Sequence, residues 1–299
     1  MKVLNLSPGL IDLGSNYLGF IEHEKFYFNG GEPHIKIDVN SLEDEVMICI
    51  RLTSIVSFGY LLVAVDALRR TGLVKKLGLF SPYFPGARQD SVMNPGEPLT
   101  VKVFADIINS MNLDMVIIAD PHSKVTSALI NNCQTINLSS FYNDVVWKMG
   151  VTQYTPIMLI APDAGADKRV KEVADELIDL GYSVTTAIAS KSRDTSTGEI
   201  VSYEFNKEIP KDAKCLVIDD ICDGGATFNL LGKELKNKGC EKLYLVVTHG
   251  IFSKGFKELS KWYNAIYTTS SFVNNYSMEI PEIEKKSEIV TILPFTYYR

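Results

Sequence analysis

The chain has 299 residues, 46% of them hydrophobic, and a net charge of −6, enough apolar content for one large core or two ordinary ones. That acidic balance excludes a bulk basic field for nucleic acid. The longest apolar runs, "MVIIA" and "LYLVV", are strand-length and too short to cross a membrane.

In chain order, strand-like and helix-like segments alternate nearly end to end. "EVMICIRL" (45–52) reads as a strand and "SFGYLLVAVDALRRTG" (57–72) as a helix closed by Gly72. "KLGLFSPYF" (76–84) is a strand, "PLTVKVFADIINSMN" (98–112) a helix and "DMVIIADPH" (114–122) a strand. The second half repeats the theme with "PIMLIAPDAG" (156–165), "DKRVKEVADELIDLG" (167–181) and "SVTTAIASK" (183–191). "KCLVIDD" (214–220), "FNLLGKELKNKG" (228–239) and "KLYLVVTHG" (242–250) complete it. Such alternation predicts α/β architecture with largely parallel sheets, in two similar halves that meet near residue 145. Each half ends a strand on a histidine, His122 or His249. The start, "MKVLNLSPGL", lacks a signal-peptide core. Cys49, Cys133, Cys215, Cys222 and Cys240 show no paired metal spacing. Both features suit a reducing cytoplasm.

"VIDDICDGGATF" (217–228) is the sharpest motif. A buried parallel strand runs into Asp219, Asp220 and Asp223, then Gly224, Gly225, Ala226 and Thr227. Glycines let backbone approach an anion, and the N–H groups of a following helix bind phosphate. The carboxylates would repel that phosphate, so they face sugar hydroxyls or a magnesium ion. Turn capping explains one such acid; it does not explain three within five residues.

Other strand ends carry chemistry too. Arg88, Gln89 and Asp90 in "ARQD" suit a polyphosphate or purine, or equally a solvated loop. His122 in "ADPHS" is placed to ligate a metal or bond a phosphate. Asp163 in "APDAGADKR" is placed for a cation or a sugar hydroxyl. Lys191 and Arg193 in "ASKSRD" would face one way on an extended chain, suiting charge on transferring phosphoryl oxygens. A solvated basic loop is the alternative. "STGE" after them reads as a mobile turn.

With "FNGGE" (28–32), "PYFPGARQD", "ADPHS", "APDAGADKR", "SKSR", "VIDDICDGGAT" and "THGIFS" in this order, the chain resembles the ribose-phosphate diphosphokinases, the 5-phosphoribosyl 1-diphosphate (PRPP) synthetases. The resemblance spans nearly the whole chain. It implies two tandem type I phosphoribosyltransferase-like domains, each a mainly parallel sheet flanked by helices. Residues 1–145 would carry the ATP-side motifs, and 146–299 the catalytic and sugar-phosphate loops. The implied reaction moves the β,γ-diphosphate of ATP to the anomeric hydroxyl of ribose 5-phosphate with Mg2+, releasing AMP for nucleotide or NAD synthesis. A homodimer or homohexamer is implied as well, with neither nucleic acid nor membrane as partner.

Residue by residue, the resemblance implies that Phe28, Asn29 and Glu32 serve a neighbouring subunit's adenine. Arg88, Gln89, Asp90 and His122 lie by the ATP. His122 and Asp163 hold magnesium or its waters, and Lys191 and Arg193 are the catalytic pair on a flexible loop. Asp219 and Asp220 take the ribose hydroxyls, and Asp223, Gly224, Gly225, Ala226 and Thr227 surround the 5-phosphate. The chain departs from the family pattern in three places. Gly30 replaces the acid of "DGE", Ser91 a second arginine after "RQD", and Gly224 a threonine of the phosphate loop.

Other functions compete with this one. The same chemistry on ADP-ribose, as in phage-associated relatives that rebuild NAD, fits the smaller Gly224. A non-catalytic regulatory subunit is disfavoured by retention of Lys191 and Arg193. A transferase that consumes PRPP would leave "ARQD" and "ADPHS" unexplained.

Overall fold

A computed structural model describes residues 1–12, 19–193, 200–272 and 289–296, without the side chains of 191–193 and 200–202. The "STGE" turn (196–199) and Asp194 lie outside the described residues. Two compact units form. One is Met1–Asn137 with Ser270–Asn274 and Pro294–Arg299; the other is Leu138–Thr269 with Asn275–Leu293.

The first unit contains β1 (Lys2–Asn5), β2 (Ile11–Asp12), β3 (His23–Tyr27), β4 (Pro33–Ile37), β5 (Glu45–Cys49), α1 (Ile55–Arg70), β6 (Lys76–Phe80), α2 (Thr100–Ser110), β7 (Met115–Ala119), α3 (Lys124–Leu129) and β8 (Cys133–Ile136). Its sheet has the order β1-β5-β6-β7-β8, and every pairing in it is parallel. Leu4, Val46, Ile48, Leu77, Leu79, Val116 and Ile118 bury one face in a core with Phe58, Leu61 and Leu68 of α1 and Val101, Ala105 and Ile108 of α2. β3 and β4 form a separate antiparallel hairpin.

The second unit contains α4 (Ser139–Lys148), β9 (Ile157–Ala161), α5 (Asp167–Asp179), β10 (Val184–Arg193), β11 (Ile200–Phe205), β12 (Lys214–Cys222), α6 (Ala226–Asn237), β13 (Lys242–Gly250), β14 (Ala265–Thr269) and β15 (Val290–Leu293); β16 (Phe295–Thr296) returns to the first unit and pairs with β2. The sheet order is β11-β10-β9-β12-β13-β14-β15. Both faces are buried. Cys215 and Val217 of β12 enter a core with Phe228, Leu231 and Leu235 of α6. Leu216 and Ile218 enter another with Val170, Val173 and Leu177 of α5. Burial on two faces explains why "CLVI" reads as an unbroken apolar run.

The expected division near 145 falls inside α4. The contacts divide instead at Asn137 and Leu138, because Phe141, Tyr142, Val145 and Val146 of α4 share the α5 core. β6 also stops at Phe80, short of the expected Phe84, which is buried from the following loop. No helix among the described residues is long and apolar enough to cross a membrane.

Candidate functional site

The order of the second sheet creates a switch point. From β9 the chain moves through α5 to β10 on one side; from β12 it moves through α6 to β13 on the other. Loops diverging at the carboxyl ends of β9 and β12 therefore leave a crevice, the place where open α/β sheets bind ligands. The end of β9 bears Asp163, and the end of β12 bears Asp219 to Thr227.

Asp219 and Asp220 lie within β12 rather than after it. Pairing with β9 stops at Val217, whereas β13 continues alongside, with Asp219 opposite Val247 and Ile221 opposite His249. The acids thus emerge where one neighbour ends. Arg169, in the first turn of α5, meets both: Nη1 is 3.4 Å from Asp219 Oδ1 and Nη2 is 4.0 Å from Asp220 Oδ2. Asp219 Oδ1 also accepts the Asp220 N–H at 2.9 Å.

Burial first, and then the Asp220 charge, push the Asp219 carboxyl from 3.8 up to about 8, against the opposing pull of Arg169. The sign for stability follows from proton linkage. Between roughly pH 4 and 8 the folded chain holds a proton at Asp219 that the unfolded chain has lost, so this group's contribution falls as pH rises through that window. Asp219→Asn is expected to flatten the fall in unfolding free energy between pH 5 and 8, measured by urea titration. An unaltered pH slope would remove Asp219 as its source.

The phosphate-type loop follows. Gly225 precedes α6 in a left-handed conformation, φ 75°, which a side chain rarely adopts. Leu259 lies 3.4 Å from where its Cβ would stand. This turn lets α6 begin with exposed Ala226 and half-buried Thr227, its first N–H groups unsatisfied by the helix itself. Asp223 accepts a hydrogen bond from Ser253 Oγ at 2.6 Å.

Lys191 and Arg193 lie on β10 itself, which pairs antiparallel with β11, Lys191 opposite Tyr203 and Arg193 opposite Ile200. A register shift between Ser192 and Arg193 interrupts the regular alternation assumed from the sequence. Asp163 has a structural duty: its Oδ1 accepts the N–H groups of Gly165 at 3.0 Å and Ala166 at 3.3 Å, shaping the turn into α5. A carboxylate has further acceptor positions, so this role is compatible with holding a cation.

The remaining predicted residues belong to the first unit. Phe28, Asn29 and Glu32 are exposed at the β3–β4 hairpin tip, closed by Phe28 N–H donating to Glu32 O at 3.0 Å and Gly31 N–H to Phe28 O at 2.8 Å. The Glu32 carboxylate covers Gly30, with Oε2 2.5 Å from where a Cβ would stand. It fills the space opened by the missing acid. Arg88 and Gln89 are exposed and Asp90 half-buried. Their loop turns at Gly86, φ 74°, where a Cβ would lie 3.0 Å from Thr100 C and Val101 N, so only glycine lets it pass the start of α2. His122 is exposed after β7, preceded by Asp120 at a left-handed φ of 37°, a strained position of the kind found at functional sites. His249, by contrast, is 2% exposed within β13.

Among the described residues no group of three or more His, Cys, Asp or Glu side chains is placed to hold a metal. Hard oxygen donors at strand ends nevertheless fit Mg2+, which keeps several waters and binds one or two carboxylates together with substrate phosphates. One residue that meets the acid cluster escaped the sequence reading, Arg169. Arg169 had a signal: a cation in a helix's first turn opposes the dipole, which implies an acid beyond the helix.

Comparison with known proteins places these features in context. A model described as "Phosphoribosyl transferase domain" matches residues 144–280, mostly the second unit. The ribose-phosphate pyrophosphokinase of Mycoplasma genitalium is 28% identical over 260 residues, covering 84% of this chain and 70% of that protein. Ribose-phosphate pyrophosphokinase 2 of Saccharomyces cerevisiae is 26% identical over 270 residues, covering 85% and 79%. Phosphoribosylpyrophosphate synthetase from Mycobacterium smegmatis shares the fold, with TM-score 0.72 and 19% identity over 92% of this chain and 86% of that one.

Proposed function

We propose that the chain, which is similar along most of its length to ribose-phosphate pyrophosphokinases, transfers the β,γ-diphosphate of ATP to the anomeric hydroxyl of a 5-phosphorylated ribose. Ribose 5-phosphate is the first acceptor, giving PRPP and AMP. The observation that carries the reading is the switch-point cluster, where Asp219 and Asp220 share Arg169 directly before a left-handed Gly225 and the start of α6. The carboxylates accept hydrogen bonds from sugar hydroxyls, and the loop amides donate to the 5-phosphate.

The bond from the anomeric oxygen to the β-phosphorus forms as the bridging bond to AMP breaks. No side-chain nucleophile is needed, so catalysis rests on positioning and on cations facing the equatorial oxygens. Lys191 and Arg193 take that role. Arg88, Gln89, Asp90 and His122 hold ATP, and a neighbouring subunit's Phe28, Asn29 and Glu32 meet the adenine. His122 and Asp163 would hold Mg2+ or its waters together with the substrate phosphates, and the ion would supply charge neutralisation. ADP-ribose is a second acceptor reading, favoured by the absence of a side chain at Gly224.

With ATP, ribose 5-phosphate and Mg2+, chromatography is expected to reveal AMP and PRPP in equal amounts, and chelation by EDTA to abolish both. ADP with a singly phosphorylated sugar would instead make the chain a conventional kinase.

A further inference from the structure

A cation unremarked in the sequence lies across the phosphate loop. The carbonyl of Cys222, the last residue of β12, accepts the N–H groups of both Ile251 at 2.9 Å and Phe252 at 3.1 Å. Phe252 adopts a left-handed φ of 49°, uncommon for an aromatic residue, and its ring fills the space beside Gly250. Ser253 then donates to Asp223, and Gly255 N–H returns to Phe252 O at 2.8 Å. These bonds hold segment 251–255 against the loop and set Lys254 over Gly224. The Lys254 stem lies at contact distance from a Cβ built on Gly224: Cε at 3.5 Å, Cδ at 3.6 Å and Cγ at 3.8 Å. The side chain is exposed, and among the described residues its ammonium has no ion-pair or hydrogen-bond partner.

A lysine stem packed on a surface with its head left in water is ordinary. Here the surface is a glycine of an anion-binding loop, and the absence of a side chain at that glycine makes room for the stem. The ammonium stands one bond beyond Cε. Loop amides and the start of α6 can cradle a first phosphoryl group, but a second, leaving over Gly224, would meet the Lys254 cation. We propose that Lys254 is a specificity-determining residue that contacts the phosphate end of the acceptor, chiefly the second phosphoryl group of an acceptor carrying a diphosphate ester. This rests on the reading of 223–227 as the acceptor's phosphate loop.

The test compares wild type, Lys254→Ala, Lys254→Arg and Gly224→Thr, with ATP and either ribose 5-phosphate or ADP-ribose. Lys254→Ala is expected to raise KM for ADP-ribose on the order of tenfold and for ribose 5-phosphate about threefold, with kcat and melting temperature little changed. Lys254→Arg retains most of the affinity. Gly224→Thr, whose side chain takes the place of the stem, reproduces the shift against ADP-ribose. Unchanged KM values in Lys254→Ala overturn the proposal, and equal shifts for the two sugars overturn the assignment to the second phosphoryl group. Calorimetric binding of each sugar without ATP separates this from the proposed reaction. If wild type turns over neither acceptor, that reaction fails; weaker sugar binding by Lys254→Ala still supports the contact, and equal binding overturns it.

Discussion

Lys191→Ala is expected to lower AMP-forming turnover a hundredfold or more while leaving the melting temperature unchanged. The expectation starts from charge. As the diphosphate passes between oxygens, charge develops on its equatorial positions, and a fixed cation there is worth far more in the transition state than in the ground state. Both kcat and kcat/KM should therefore fall, with little change in KM for either substrate. Folding should be indifferent, because Lys191 takes part in the sheet through its pairing with Tyr203 of β11, a backbone relation that alanine preserves. Arg193, beyond the register shift, remains in the variant and sets the residual rate. Steady-state AMP formation beside a thermal melt checks both halves. Turnover equal to wild type would take Lys191 out of the mechanism, and a lowered melt with unchanged KM and kcat would make it structural.

The sequence carried the architecture because the α/β pattern is written in hydrophobicity. "CLVI" is apolar on both faces since β12 is covered by α6 on one side and α5 on the other, and the helices show the complementary spacing. The short elements were not legible. The hairpin of β3 and β4 buries few residues, only Ile35 among its strand positions, so periodicity has little to report. The site was legible wherever a motif occupies one stretch, as in Asp219 to Thr227. It was illegible where partners come from separate stretches. Arg169 meets Asp219 across a separation of 50 residues, and Lys254 reaches Gly224 only because a strained Phe252 turns the chain back. Asp163 carries a duty that the strand end alone did not show. Its position at a strand end suggested a ligand, while its Oδ1 also serves two backbone amides.

Arg169→Ala should be costly in a pH-dependent way. Arg169 is the guanidinium bridging Asp219 and Asp220, itself only 19% exposed beside side chains 20% and 7% exposed. Removing one partner of a buried ion cluster leaves uncompensated charge, with losses of about 3 kcal/mol typical. Here the loss has an escape, because Asp219 already holds its proton up to about 8. Without Arg169 its folded-state pKa rises further above the unfolded value. A raised folded pKa means stability retained at low pH and lost as pH rises through it. The variant should thus be only modestly weaker than wild type near pH 6 and approach the full loss above pH 8. Catalytic efficiency should fall at every pH, since without the guanidinium the two acidic side chains are no longer held in place for the sugar hydroxyls. Arg169→Lys should recover only part, an ammonium being unable to span two carboxylates as the planar guanidinium does. Adding Asp219→Asn to Arg169→Ala should restore much of the stability near about pH 9.5 and none of the activity. Urea titrations at about pH 6 and about pH 9.5 on the four proteins give the comparison; a stability loss equal at both pH values would mean that Arg169 acts through packing rather than through the carboxylate charge.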